Sequence, residues 1–143
     1  MLPTSLPEPT LFLPGQGEPA LRWGVLAPGQ IARAFAHAMR THTRQRLTAV
    51  GSRSLDRAEA FATQHGIERA YDSYAALVGD PEVDVVYVAA PQSEHLALGL
   101  LAIAAGKHTL IEKPMATNAA DARTLVSAAA DAGVLLIEAI WSR

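Results

Sequence analysis

Glu112, Lys113 and Pro114 close the segment HTLIEKP, so an apolar run ends on a carboxylate beside an amine. Neither group belongs in a plain core, and a pair at a strand end favours chemistry with something bound there. Lys113 is suited to polarise a carbonyl or orient a hydroxyl, and Glu112 to accept a hydrogen bond. Pro114 would rigidify the turn, with a cis bond open to it. The plainer alternative is a surface ion pair.

A second segment, Ala27-Pro28-Gly29-Gln30-Ile31-Ala32 in LRWGVLAPGQIARAF, has the G-x-G-x-x-G/A spacing of a dinucleotide-binding turn, with alanine in the first place. Gly29 leaves a path for a pyrophosphate to approach the backbone. The helix start offers free N–H groups and a positive dipole end, and Ala32 allows close packing of helix on strand. Two features depart from the common pattern: Ala27 must accept the tight turn, and Pro28 contributes no N–H. Taken alone, the segment could also be an ordinary strand-to-helix turn.

The next strand ends in Val50-Gly51-Ser52-Arg53-Ser54, with Arg57 one turn on. An acidic residue at this place holds the ribose 2′-hydroxyl of NAD, whereas positive charge receives the 2′-phosphate of NADP. Arg53, flanked by the hydroxyls of Ser52 and Ser54, therefore predicts NADP over NAD. Solvated surface charge is the alternative for both arginines. The fourth strand end, VYVAAPQSEH, supplies further candidates. Ala89 and Ala90 keep it narrow, Pro91 fixes the turn, Gln92 can hydrogen-bond a ribose or carboxamide, and Ser93 is expected to cap the next helix. His95 falls in that helix's first turn, either fixing the turn as a neutral ring or touching the cofactor.

These residues need a scaffold that collects strand ends on one edge. From Leu21 the chain alternates short apolar runs with helical ones: LRWGVLA, PGQIARAFAHAMR, RLTAVGSR, SLDRAEAFATQHG, AYDS, YAALVG, DVVYVAA, SEHLALGLLAIAAGK, HTLIEK, TNAADARTLVSAAADAG and VLLIEAIW. Gly66 is expected to close the second helix, and Asp121 falls in the first turns of the last one. Six strands alternating with helices, most of them uniformly apolar, predict an α/β doubly wound parallel sheet of the Rossmann type. Ligands on such sheets sit beyond the carboxyl ends of the strands, where the candidate residues lie.

Composition narrows the function classes. The 143 residues carry 18% charged side chains and a formal net charge of −2, without a basic stripe, which argues against a nucleic-acid partner and for a small molecule. The absence of cysteine removes thiolate chemistry, disulfides and cysteine metal sites, and no metal site is expected. Residues 1–20 are interrupted by prolines and are expected to form an extended arm outside the core, with the dinucleotide-binding domain spanning 21–143. They have neither a basic n-region nor an apolar h-region, and no run approaches a membrane span, so a cytoplasmic location is the expectation.

Taken together, APGQIA, the Ser-Arg pair, VYVAAPQSEH, AGKHTLIEKPMATN and EAIWSR resemble the Gfo/Idh/MocA oxidoreductases in order and spacing along nearly all of Leu21 to Arg143. EAIWSR is similar to the branch with NADP-dependent dihydrodiol and xylose dehydrogenases. The resemblance implies a Rossmann domain followed by a substrate domain, absent here, that usually carries the oligomer interface. It implies that Lys113 acts at the reacting hydroxyl or carbonyl and that Glu112 contacts the nicotinamide ribose. It also implies that Gln92 and His95 lie near the cofactor, as do Trp141 and Arg143 at the domain junction.

The expected function is hydride transfer between NADP and a sugar, polyol or related hydroxyl or carbonyl compound, in an enzyme that could be a homo-oligomer. The chain alone is expected to lack turnover, because substrate positioning supplies much of catalysis. The alternatives are a non-catalytic NADP-binding module or sensor, and a Rossmann-like protein for another nucleotide such as a methyl donor. Lys113 and the Ser-Arg strand end argue against the last.

Overall fold

A computed structural model describes residues 17–140. Six strands form one parallel sheet in the order β3-β2-β1-β4-β5-β6. The strands are β1 (Arg22–Leu26), β2 (Arg46–Gly51), β3 (Arg69–Tyr71), β4 (Val85–Val88), β5 (His108–Glu112) and β6 (Leu136–Ala139). The helices are α1 (Gln30–His42), α2 (Leu55–His65), α3 (Tyr74–Val78), α4 (His95–Ala104) and α5 (Ala119–Ala132). The order reverses between β1 and β4, so the loops after these strands diverge and leave a crevice at the carboxyl edge.

Adjacent residues of β1 point to opposite faces of the pleat and seed separate cores. Leu26 packs with Val86, Val88, Leu98, Ile111 and Leu125 beneath α4 and α5. Val25 packs with Val50, Ala36, Phe61 and Tyr87 beneath α1 and α2. Each fully buried Leu or Val of this kind contributes about 1.5–3 kcal/mol relative to exposure, so the alternation is strongly enforced. Small residues set the spacing. Ala32 and Ala36 are fully buried on α1, and a Cβ on Gly99 of α4 would lie 2.6 Å from Leu125 Cδ2 and 2.8 Å from Ile111 Cδ1.

Helix ends follow local chemistry. The Asn118 side chain caps α5 by accepting from the Asp121 N–H at 2.9 Å, with Asp121 in the first turn as expected. Gly66 closes α2 in the left-handed region at φ 66°, also as expected. Ser93 does not act as the expected cap. Residues Gln92–Glu94 instead make a 3₁₀ turn, and α4 starts at His95 without a side-chain cap. The Glu94 N–H donates to Pro91 O at 2.8 Å, a shorter loop than an α-helix closes.

Helical cover of the sheet stops at one edge. Among the described residues no helix covers the β6 face that carries Ile137, which is 56% exposed, and neighbouring Leu135 is 64% exposed. Trp23, Val85, Leu110 and Ile137 line a shallow apolar groove on that face. The last strand also ends at Ala139, short of the Trp141 expected from its apolar pattern. Trp141 and Arg143 lie outside the described residues, as does the arm up to residue 16. The end of the arm is tied to the core by Gln45, whose side chain donates to Pro19 O at 2.8 Å and accepts from the Leu21 N–H at 3.0 Å. No helix of the described residues is long and apolar enough to cross a membrane.

Candidate functional site

The carboxyl edge carries a cleft of about 840 Å³ lined by Ala27, Pro28, Gly29, Gln30 and Ile31 from the β1–α1 turn. Ser52, Arg53, Ser54 and Arg57 follow from the β2–α2 turn, and Ala89, Ala90, Pro91 and Glu94 from the β4–α4 turn. A smaller neighbouring cleft of about 310 Å³ is lined by Ile31, Ala90, Gln92, His95, Glu112 and Lys113. Ile31 and Ala90 belong to both. Described residues from all four predicted segments therefore meet along one continuous trough, although they lie far apart in the chain.

At the β1–α1 turn, Ala27 takes φ 63°, a left-handed conformation that costs a non-glycine residue roughly 1–2 kcal/mol. Its N–H donates to Gly51 O at 3.0 Å, anchoring the turn to β2. Gly29 is the N-terminal cap residue of α1, and its carbonyl accepts the first helical bond, from the Arg33 N–H at 3.2 Å. The N–H groups of the first helical turn ahead of Arg33 have no intrahelical acceptor. A Cβ on Gly29 would find no protein atom nearer than Ala27 O at 3.9 Å, and its φ of −111° is ordinary for any residue. The protein itself does not demand glycine there; a group seated in the cleft would. The turn has room and free donors for a dinucleotide pyrophosphate, which Gly29 and the α1 N–H groups would hold.

At the β2 end Ser52 is buried and its Oγ accepts from the Ser54 N–H at 3.3 Å. Arg53 reaches across the cleft to Glu94, with Nη1 3.3 Å from Oε1. No partner holds the exposed Arg57 guanidinium among the described residues. Tyr74, at the start of α3, closes the same region. Burial raises its phenol pKa, Arg53 and Arg57 pull it back, and Glu94 adds to the rise; all four residues line the same cleft. Sequence reading missed Tyr74 and Glu94. Glu94 adjoins the predicted VYVAAPQSEH positions, but nothing in the chain around Tyr74 signals its place.

In the second cleft Glu112 is fixed from below. Tyr87 Oη donates to Oε1 at 2.6 Å, and the Lys113 N–H donates to Oε2 at 3.2 Å. Burial, then the neighbouring Glu112 carboxylate, lifts the Tyr87 phenol well above its ordinary pKa, so it stays a donor. Lys113 is exposed, and no side-chain partner binds its Nζ among the described residues. The ion pair between Glu112 and Lys113 that the sequence allowed does not form. The Lys113–Pro114 bond is cis.

His95 is 1% exposed. Its Nδ1 lies 2.9 Å from Pro114 O and its Nε2 2.9 Å from Ala90 O. The ring therefore bridges the turns after β4 and β5, with both nitrogens facing protein carbonyls. Gln92 adds a parallel tie, donating from Nε2 to Ala116 O at 3.0 Å. Both residues hold the Lys113 loop against the β4 end.

The fold has relatives among known proteins. The profile of the Gfo/Idh/MocA oxidoreductase family, NAD-binding Rossmann fold, matches residues 21–140. Trans-1,2-dihydrobenzene-1,2-diol dehydrogenase of Mus musculus is 45% identical over 126 residues, covering 87% of this chain and 38% of that protein. The Homo sapiens protein of the same name is 42% identical over the same shares. Among solved structures, a 3-ketoreductase from Actinomadura kijaniata in complex with TDP-benzene and NADP superposes with a TM-score of 0.80 at 36% identity, over 84% of this chain and 38% of that one. A biliverdin reductase from Synechocystis in complex with biliverdin and NADP+ superposes with a TM-score of 0.75 at 31% identity, again over 84% and 38%. The chain spans well under half the length of these relatives, and it belongs to the Gfo/Idh/MocA oxidoreductase family as the NAD-binding Rossmann portion.

Proposed function

We propose that this chain is the NADP-binding part of an oxidoreductase that passes a hydride between nicotinamide and a sugar, polyol or related hydroxyl or carbonyl compound. One observation carries the cofactor preference: Ser52-Arg53-Ser54, with Arg57, lines the same cleft as the phosphate turn. Those residues occupy the strand end where NAD-selective proteins place an acid for the ribose 2′-hydroxyl. The dehydrogenase names of the relatives, and the NADP bound in two of the similar structures, support the reading.

The trough divides by chemistry. Ala27 to Ile31 would take the pyrophosphate, Ser52, Arg53 and Arg57 the adenosine 2′-phosphate, and the smaller cleft at Ala90, Gln92, Glu112 and Lys113, with Pro91 beside it, the nicotinamide end. Bound nicotinamide supplies the hydride acceptor or donor. Lys113 is the proposed catalytic residue, its ammonium free to hydrogen-bond the substrate oxygen on which charge develops. Glu112, pinned by Tyr87, is oriented to accept from a ribose hydroxyl. His95 keeps the Lys113 loop in register with β4. Trp141 and Arg143 join the nicotinamide end by family resemblance. Substrate contacts belong to the part of the relatives that this chain does not match.

Paired NADPH and NADH titrations of the chain, followed by nucleotide fluorescence, test the preference. The expected result is tighter NADPH binding that Arg53→Ala weakens about 10–100-fold, the range of charge-assisted hydrogen bonds, with NADH little changed. Equal affinities that Arg53→Ala leaves untouched would remove the assignment.

A further inference from the structure

We infer that Glu94 is a specificity-determining residue that acts by occupying Arg53 in competition with the 2′-phosphate of the cofactor. The inference rests on the proposed role of Arg53 and concerns what that arginine touches when no phosphate is present. Glu94 and Arg53 stand on opposite walls of the larger cleft, one before α4 and the other after β2, 41 residues apart in the chain. Their ion pair therefore spans the mouth of the adenosine half.

The two partners are unequally held. The backbone of Glu94 is fixed by the 3₁₀ turn, and its side chain is 31% exposed, whereas that of Arg53 is 74% exposed. Glu94 is the fixed post and Arg53 the movable arm. Their separation of 3.3 Å exceeds the roughly 2.7–2.9 Å of a strong charge-assisted bond, so the contact is weak and exchangeable. A surface pair of this kind adds little to folding. It does set the starting state of the arginine.

Binding the two nucleotides then differs. A 2′-phosphate takes the guanidinium only by displacing it from Glu94, a cost that NADH does not meet. Glu94 thus lowers NADPH affinity without lowering NADH affinity to the same degree. Its contribution is to moderate a preference that Arg53 creates.

The test uses the whole chain and four proteins: wild type, Glu94→Gln, Arg53→Ala and the double variant, each titrated with NADPH and NADH. Glu94→Gln keeps the side-chain length and is expected to tighten NADPH about three- to tenfold, the scale of one partly screened charge, with NADH changed less than twofold. In the Arg53→Ala background the same substitution is expected to have less than a twofold effect on NADPH. A persistent gain in that background would mean that Glu94 acts on the phosphate directly, and weakened NADPH binding would mean that it positions Arg53 instead. Either result overturns the competition. Selective NADPH binding that needs Arg53 but ignores Glu94→Gln sinks this inference alone, while a wild type that does not discriminate and ignores Arg53→Ala sinks the cofactor reading beneath it.

Discussion

Lys107 and Lys113 stand just outside opposite ends of β5, and their surroundings differ in kind. Lys107, at the amino edge, donates from Nζ to Asp80 O and Val83 O, both at 2.7 Å. Lys113, at the carboxyl edge, has no such partner among the described residues. The contrast extends along both edges. At the amino edge Asp84 accepts from the Arg22 N–H at 2.8 Å and from its Nε at 2.9 Å, and Arg22 also pairs with Glu82. Asp80 accepts from Tyr71 Oη at 2.9 Å and pairs with Arg69. At the carboxyl edge Arg57 and Lys113 are open, and Arg53 is held by a single long contact. Among the described residues, charges of similar type are taken up by protein partners at one edge and left largely open at the other. Polar partners inside the protein distinguish the two, not residue type.

The largest effect expected of this difference comes from replacing each lysine by methionine. Lys107→Met takes the Lys107 donor from the Val83 carbonyl and leaves the Asp80 carbonyl with the Val83 N–H alone, and should cost about 1–3 kcal/mol in urea unfolding. Lys113→Met should leave stability within about 0.5 kcal/mol. Equal losses for the two variants would erase the distinction between the edges.

Gly29→Ala sharpens the same contrast on the backbone. With no protein atom in the way, unfolding free energy should stay within about 1 kcal/mol, while NADPH binding weakens about tenfold because the added methyl enters the pyrophosphate space. Unchanged nucleotide affinity would show that Gly29 does not face the cofactor.

A smaller effect is expected at the amino edge in acid. Hydrogen bonds from the Arg22 side chain bring the Asp84 carboxyl down from 3.8 to about 2. A depressed carboxylate stabilises the fold above its unfolded pKa, so this contribution is present above pH 4 and is lost as pH falls toward 2. With partial exposure discounted it amounts to about 1 kcal/mol, and Asp84→Asn should flatten that acid limb of the stability profile. An acid limb identical in the variant would assign it to other carboxylates.

The smallest effect is a gain. Ala27 holds a positive φ that glycine adopts without penalty, so Ala27→Gly should raise stability by about 0.5–1 kcal/mol and restore the first glycine of the turn. A loss of stability would mean that contacts of the Ala27 methyl outweigh the backbone cost.

Much of this molecule is legible in one dimension because the signals are local. Hydrophobic period separates the strands from the helices, Gly66 ends α2, and the G-x-x-A spacing from Gly29 places a phosphate turn between β1 and α1. Ser52-Arg53 follows β2 directly, and the Glu112-Lys113-Pro114 run survives as a strand end. What stayed hidden depends on neighbours far along the chain. Ser93 looks like a cap in sequence, but a short 3₁₀ turn takes its place. Gly99 is an ordinary helical glycine until Leu125 and Ile111 close on it. Which face of β6 stays bare was hidden too, because coverage is a property of what packs on a strand and not of its own composition.

By its residues alone, then, the chain determined an α/β doubly wound sheet, the turn at Gly29, the basic character of the β2 end and an amine at the end of β5, since each arises from period or adjacency. Only the tertiary structure decided which charges are used up and which remain. It paired Arg22 with Asp84, Lys107 with two carbonyls and Glu112 with Tyr87, and it set Glu94 across the cleft from Arg53. Hydrogen bonds and ion pairs form between atoms a few ångströms apart, and the crossovers of the sheet, not proximity in the chain, bring those atoms together.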